Sequence, residues 1–254
     1  MNTKFEDFIQ KRLKIEFSFD YKLSVYLFLS FILFTVIGTL SHEYGHHIAG
    51  NMVGIKTRVN YQSTIQIDFE NNKHIKEIRA LEKYFYCYKA LQIDFVYSYM
   101  QEIIIKKMNT DYIIFTLGGP VLTMLTSIIG LLMLFFFRKK YIEAIQLVFW
   151  QWLIVFISLF WLRQSANMFV GLFFHLINGR AGTCGDEYVL ARDFGLPVES
   201  LSIITGLIGL IILTIVVFKF IPVKQRFTFL ISGLIGGVAG YYLWLIQFGK
   251  IILP

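Results

Sequence analysis

An all-α polytopic membrane protein of about six transmembrane segments, with a small extramembrane insert, is the fold class that three observations predict. The 254 residues are 56% hydrophobic and only 16% charged, with a mean hydropathy of +0.60, which is too apolar for an ordinary soluble domain. Uncharged runs lie between Lys22 and Glu43, Asp111 and Arg138, Glu143 and Arg163, Glu199 and Lys219, and Arg226 and Lys250. Each is near the length that crosses about 30 Å of hydrocarbon; a further run from Gln164 to Gly179 is marginal. The formal charge of +7 sits mostly between these runs, where lysines and arginines face anionic lipid. The charge therefore points to a lipid bilayer as partner, in an integral multi-pass protein, and not to nucleic acid.

In chain order, residues 1–22 form an N-terminal segment mixing acids and bases with Phe5, Phe8, Ile9, Leu13 and Phe17. That pattern matches a short interfacial amphipathic helix better than a signal peptide. The first span runs from Leu23 to about Val53, and Gly54 stops it. Val59, Tyr61, Ser63, Ile65, Ile67 and Phe69 then alternate with mostly polar neighbours, the period of a strand or hairpin, up to Asn71-Asn72. From about Lys73 to Met108 the pattern is helical and amphipathic, so residues 55–110 read as one extramembrane insert, with His74 a solvated surface histidine.

The second span, Tyr112 to Phe137, carries Leu117-Gly118-Gly119-Pro120 near its start, small residues that allow a kink or close helix approach. Arg138-Lys139-Lys140 makes a basic turn before a third span, about Tyr141 to Leu162. After Gln164–Ile177, the stretch Asn178 to Glu187 holds three glycines that break any helix. Irregular backbone of this kind is tolerable at membrane depth only where it lines a protein cavity. A short helix from Tyr188 to Phe194 ends at Gly195-Leu196-Pro197, and spans at about Leu201–Phe218 and Phe227–Phe248 complete the chain. Gly233/Gly237 and Gly236/Gly240 in the last span favour close helix packing. The organisation is therefore an interfacial segment (1–22), a membrane-embedded core including the insert (23–199) and two C-terminal helices (200–254). Cys87 and Cys184 are too few for a disulfide framework.

Chemistry enters at His42-Glu43-Tyr44-Gly45-His46, which closes the first apolar run. Spacing of four on a helix puts the two histidines one turn apart on one face, where their imidazoles can take one zinc ion. Glu43 is then placed to deprotonate water as a catalytic base. About twenty residue steps separate Lys22 from His42, or about 30 Å of helix, so the motif lies toward the far end of the span. A catalytic zinc takes three protein ligands and keeps a position open for water. His47 is rotated by about 100° from His46 and fits packing or hydrogen bonding. His175 suits either a polar contact or a ligand. Asp186, after Gly185 and where the chain returns from the third span, is favoured as third ligand over Glu187 and over Asp193, whose neighbour Arg192 suggests a surface pair.

These elements together resemble the site-2 protease family of intramembrane zinc metalloproteases. The matching features are the His42 to His46 motif at the end of a span, the strand-like segment after Gly54, Gly118-Gly119-Pro120 and the later Asp186. They cover roughly Leu23 to Pro197. In place of the family's Asp-Gly step, Glu187 follows Asp186. The resemblance implies hydrolysis of peptide bonds within or next to the transmembrane segments of a membrane-protein substrate, with Zn2+ held by His42, His46 and Asp186 and Glu43 as general base. It further implies substrate positioning by Gly118, Gly119 and Pro120, and by Asn167 in place of the family's asparagine. Lys4, Lys11, Arg12, Lys14 and Lys22 favour a cytoplasmic N-terminus, whereas the resemblance puts the site near the cytoplasmic face; both orientations stay open. Two other classes fit the same residues: a transporter or channel with a histidine and acid pathway, and a non-proteolytic family member acting in binding or assembly.

Overall fold

The computed structural model describes residues 14–67, 76, 94–178 and 185–254. Phe5, Phe8, Ile9, Leu13, Phe69, Asn71-Asn72, His74, Cys87 and Cys184, singled out above, lie outside the described residues, as do Gly179 and Gly182.

Helix α1 (Tyr21–Met52) starts where the Asp20 side chain accepts a hydrogen bond from the Leu23 amide at 3.0 Å, an N-cap. Its 32 residues are apolar almost throughout, and at 1.5 Å per residue they span about 48 Å, more than a hydrocarbon core needs. The helix stops as expected: Gly54 takes φ 80°, and the Ile55 amide returns to the Gly50 carbonyl at 2.8 Å. The chain then turns back as an antiparallel hairpin, β1 (Thr57–Val59) and β2 (Thr64–Gln66), with Arg58 opposite Ile65. Its turn forms because Asn60 Oδ1 accepts from the Gln62 and Ser63 amides at 3.0 and 2.8 Å.

Helix α2 (Asp94–Phe136) runs through the boundary expected near residue 110. The amphipathic end of the insert and the apolar span share one helical period, so a single helix of 43 residues accommodates both. A short α3 (Arg138–Ile142) replaces the expected basic turn. The third and the marginal apolar runs also differ from expectation. They form α4 (Phe149–Ser158) and α5 (Leu162–Asn178), two arms bent by 49°. Side chains account for the shortening of α4: Gln151 Oε1 accepts from the Val148 amide at 2.9 Å, and Gln225 Oε1 accepts from the Leu147 amide at 3.0 Å. At the bend, the Ser127 hydroxyl donates to the Ser158 carbonyl at 2.6 Å, satisfying a helix-end acceptor.

After α6 (Asp186–Asp193), Gly195 with φ 67° ends the helix. Helix α7 (Ser200–Ile215) continues in wide π turns through Phe220. Arg226 closes that end, donating to the carbonyls of Ile221 and Phe218 at 3.0 and 2.8 Å. Helix α8 (Val223–Tyr241) passes through further wide turns at Tyr242–Phe248 into α9 (Gly249–Ile252). Among the described residues four helices are long and apolar enough to cross a membrane, Tyr21–Met52, Lys106–Phe136, Ser200–Phe220 and Val223–Ile252, or five with the bent pair taken as one span. The molecule is thus mainly helical, and its long apolar helices are compatible with a multi-pass membrane protein.

Helix α1 packs mainly against α2 and α8. Glycines make both contacts close. A β-carbon at Gly236 would lie 2.8 Å from the Phe28 carbonyl, and one at Gly240 2.8 Å from Thr35 Oγ1, whereas Gly237 faces open space. The buried core gathers Leu27, Leu134, Trp152, Val155, Phe156 and Phe229. Outward, Leu29, Leu33, Ile129, Leu132 and Ile204 are exposed, the apolar surface a span offers to lipid. The C-terminal end is tied to the hairpin, since Trp244 Nε1 donates to the Tyr61 carbonyl at 2.8 Å.

Candidate metal centre

Three elements meet where α1 crosses α2. Helical spacing brings His42 and His46 onto one buried face of α1, their Nε2 atoms 3.2 Å apart. Asp186, the first residue of α6, puts Oδ2 at 2.8 Å from His42 Nε2 and 3.3 Å from His46 Nε2. Gly185 makes this delivery possible: its φ of 117° with ψ 158° is a conformation that glycine alone adopts readily. Of the two aspartates weighed in the sequence, Asp186 lies at the histidines and Asp193 lies at the other end of α6 beside Arg192.

The hydrogen bonding around the trio is compatible with a cation between its members. His46 Nδ1–H donates to the Phe115 carbonyl at 2.9 Å, which in a neutral imidazole leaves Nε2 with a lone pair. That lone pair faces Asp186 Oδ2 and His42 Nε2. The three atoms lie within 3.3 Å of one another, a spacing that a shared proton, as in a His42 Nε2–H hydrogen bond to Asp186 Oδ2, or a metal ion accommodates. Ligands of a tetrahedral zinc at its usual bond lengths stand roughly 3.3 Å apart, close to the separations here. His42, His46 and Asp186 can therefore hold a metal ion.

Gly119 sets how closely α2 approaches. A β-carbon there would collide with His46 Nε2 and lie 2.6 Å from His42 Nε2. Gly118 serves the same contact from the next position, where a β-carbon would collide with the Gly45 carbonyl oxygen. Pro120 lies within α2 without ending it. Gly118 and Gly119 set this close approach at the histidine side of the site.

Glu43 is buried beside the trio and held from two directions. The Thr64 hydroxyl on β2 lies 2.7 Å from the Glu43 carbonyl and 3.2 Å from its Oε2. Arg163, at the start of α5, places Nη2 3.6 Å from Oε1. A further buried carboxylate, Glu187, accepts from Asn167 Nδ2 at 3.4 Å. Asn167 thus lies next to α6. Burial pushes the Glu187 carboxyl above the usual carboxylate range, with the neighbouring Asp186 charge adding to it. Burial acts on Asp186 in the same direction, but the hydrogen bond to His42 and the adjacent His46 imidazole outweigh it and hold that carboxyl below its ordinary value.

The remaining histidines are engaged elsewhere. His47 donates from Nδ1 to Thr57 Oγ1 at 2.7 Å and accepts from Asn51 Nδ2 at 3.0 Å, the hydrogen-bonding role expected of it. His175 Nδ1 lies 2.9 Å from Glu199 Oε1, a polar contact away from the trio. Sequence reasoning missed Arg163, Thr64 and the Phe115 carbonyl. Arg163 carried a signal, being the lone charge between two apolar runs, where a cation demands a partner. A threonine and a backbone carbonyl carry none.

Family models, curated proteins and solved structures give no match to this chain.

Proposed function

We propose that the chain is an intramembrane zinc metalloprotease of the site-2 protease type, hydrolysing peptide bonds within or next to transmembrane segments of membrane proteins. The observation that carries this is the convergence of His42 Nε2, His46 Nε2 and Asp186 Oδ2 within 3.3 Å, with Glu43 adjacent in sequence and buried beside them. Two imidazoles and one carboxylate suit zinc, and they also suit ferrous iron. Glu43 favours the hydrolytic metal, because a buried carboxylate next to the donors matches a general base. When bound, zinc polarises a carbonyl oxygen and brings the pKa of water toward neutrality. Glu43 receives the proton of the attacking water and returns it to the leaving nitrogen.

A helical amide is hydrogen-bonded and shielded, so the substrate segment must unwind before attack. The β1–β2 hairpin supports this step: it is a two-stranded sheet that carries Thr64 against Glu43, and an unwound segment can add to a sheet edge. The motif's position in the distal part of α1 gives water a shorter route than mid-bilayer.

The test is cleavage of a fluorogenic, lysine-flanked transmembrane peptide in proteoliposomes by wild type and by Glu43→Gln. The proposal expects cleavage by wild type and its loss, by at least about 100-fold, in the variant. Ion flux that survives Glu43→Gln, without cleavage by either protein, would support a transport pathway instead.

A further inference from the structure

Arg163 stands at an uncommon place for a cation. It is the second residue of α5, just beyond the turn that joins two apolar arms, where an unpaired guanidinium is costly. Its Nη2 reaches to 3.6 Å from Glu43 Oε1, and its Nε is buried without a hydrogen-bond partner. The other Glu43 oxygen, Oε2, faces Thr64 Oγ1 at 3.2 Å. One oxygen is therefore held from α5 and the other from β2, by elements that contribute no donor to the His42, His46 and Asp186 trio.

We infer that Arg163 is a positioning residue for Glu43. Resting on the hydrolytic reading above, this gives the bend between α4 and α5 a role in turnover, because the bend carries a fixed charge to the carboxylate that exchanges protons during peptide hydrolysis. Held at both oxygens, the carboxylate cannot rotate freely about its last side-chain bond. A misplacement of about 1 Å in a reacting group can cost about 100-fold in rate. A simple countercharge against membrane burial would need no such effect on turnover, so rate and stability separate the two roles.

The experiment compares wild type, Arg163→Ala, Arg163→Gln, Arg163→Lys and Glu43→Gln for zinc content, thermal unfolding in detergent and cleavage of the fluorogenic transmembrane peptide. Arg163→Ala keeps zinc and lowers kcat by about 100-fold with KM within about twofold. Guanidinium ion, added well below denaturing concentration, restores at least about tenfold of the loss in Arg163→Ala. Arg163→Lys falls between, since an ammonium supplies charge without the planar fork. Arg163→Gln carries the kcat comparison where the alanine variant does not fold. Wild-type kcat in Arg163→Ala or Arg163→Gln overturns the inference, as does a loss in Arg163→Ala that guanidinium leaves unchanged. If wild type cleaves, Glu43→Gln does not, and Arg163→Ala is undiminished, the inference alone fails. If wild type contains no zinc and shows no cleavage, the hydrolytic reading fails and takes the inference with it.

Discussion

Gly119 on α2 faces His46 on α1 so closely that a β-carbon on the glycine would collide with His46 Nε2. The helix contact and the donor trio are thus one structure. Gly119→Ala is predicted to cost about 1–3 kcal/mol by overpacking and to lower metal affinity at least about tenfold as the imidazoles are pushed aside. Gly38→Ala, on the same α1 helix, meets nothing within 4 Å. It should instead gain about 0.5–1 kcal/mol from replacing a helical glycine. Metal titration and thermal unfolding in detergent check both.

Asp186 and Asp193 lie at opposite ends of α6, and only Asp186 approaches the histidines. Asp186→Ala should weaken metal binding by at least about 100-fold, more than is typical for losing an outer partner of a ligand. Asp193→Ala removes an exposed pair with Arg192, worth about 0–1 kcal/mol, and should leave the metal in place. Competition against a chromophoric chelator measures both affinities.

Backbone geometry makes a third prediction at Gly185, whose φ of 117° and ψ of 158° are closed to other residues. Gly185→Ala is expected to store about 1–3 kcal/mol of strain or to relax by moving Asp186 away from the trio. Metal affinity then falls although no ligand has been removed. An affinity equal to wild type would show that Asp186 does not depend on this turn.

Much of the bundle is legible in the sequence because its physics is local. Long uncharged runs, Gly54 as a stop and the four-residue histidine spacing all act within a few turns of helix. Element lengths are less legible where tertiary contacts decide them. Nothing in the sequence near Val148 announces that the side-chain amide of Gln225, far along the chain, holds the backbone before α4. Gly118 and Gly119 are readable as small residues, but which helix they admit and which atoms they spare depend on the α1–α2 crossing. Asp186 is favoured by its position after a glycine. It reaches the site through a positive φ at Gly185, which the residue type permits without requiring. Arg163 is visible as a charge, and its carboxylate partner is not.

Thr64 links the hairpin to the proposed base, its hydroxyl shared between the Glu43 carbonyl and Oε2. Thr64→Val should leave metal content unchanged and slow cleavage roughly tenfold, the value of a lost hydrogen bond to a charged group. Thr64→Ser, which keeps the hydroxyl, should stay near wild type. Equal rates in wild type and Thr64→Val would remove the hairpin from the base's environment.

The central claim is that His42, His46 and Asp186 hold zinc, and the metal content of purified protein tests it most directly. Elemental analysis should find about one zinc per chain in wild type and in Glu43→Gln, and little in His42→Ala, His46→Ala and Asp186→Ala. Wild-type protein purified without chelators that contains no zinc, or an Asp186→Ala variant that keeps a full equivalent, would contradict the account.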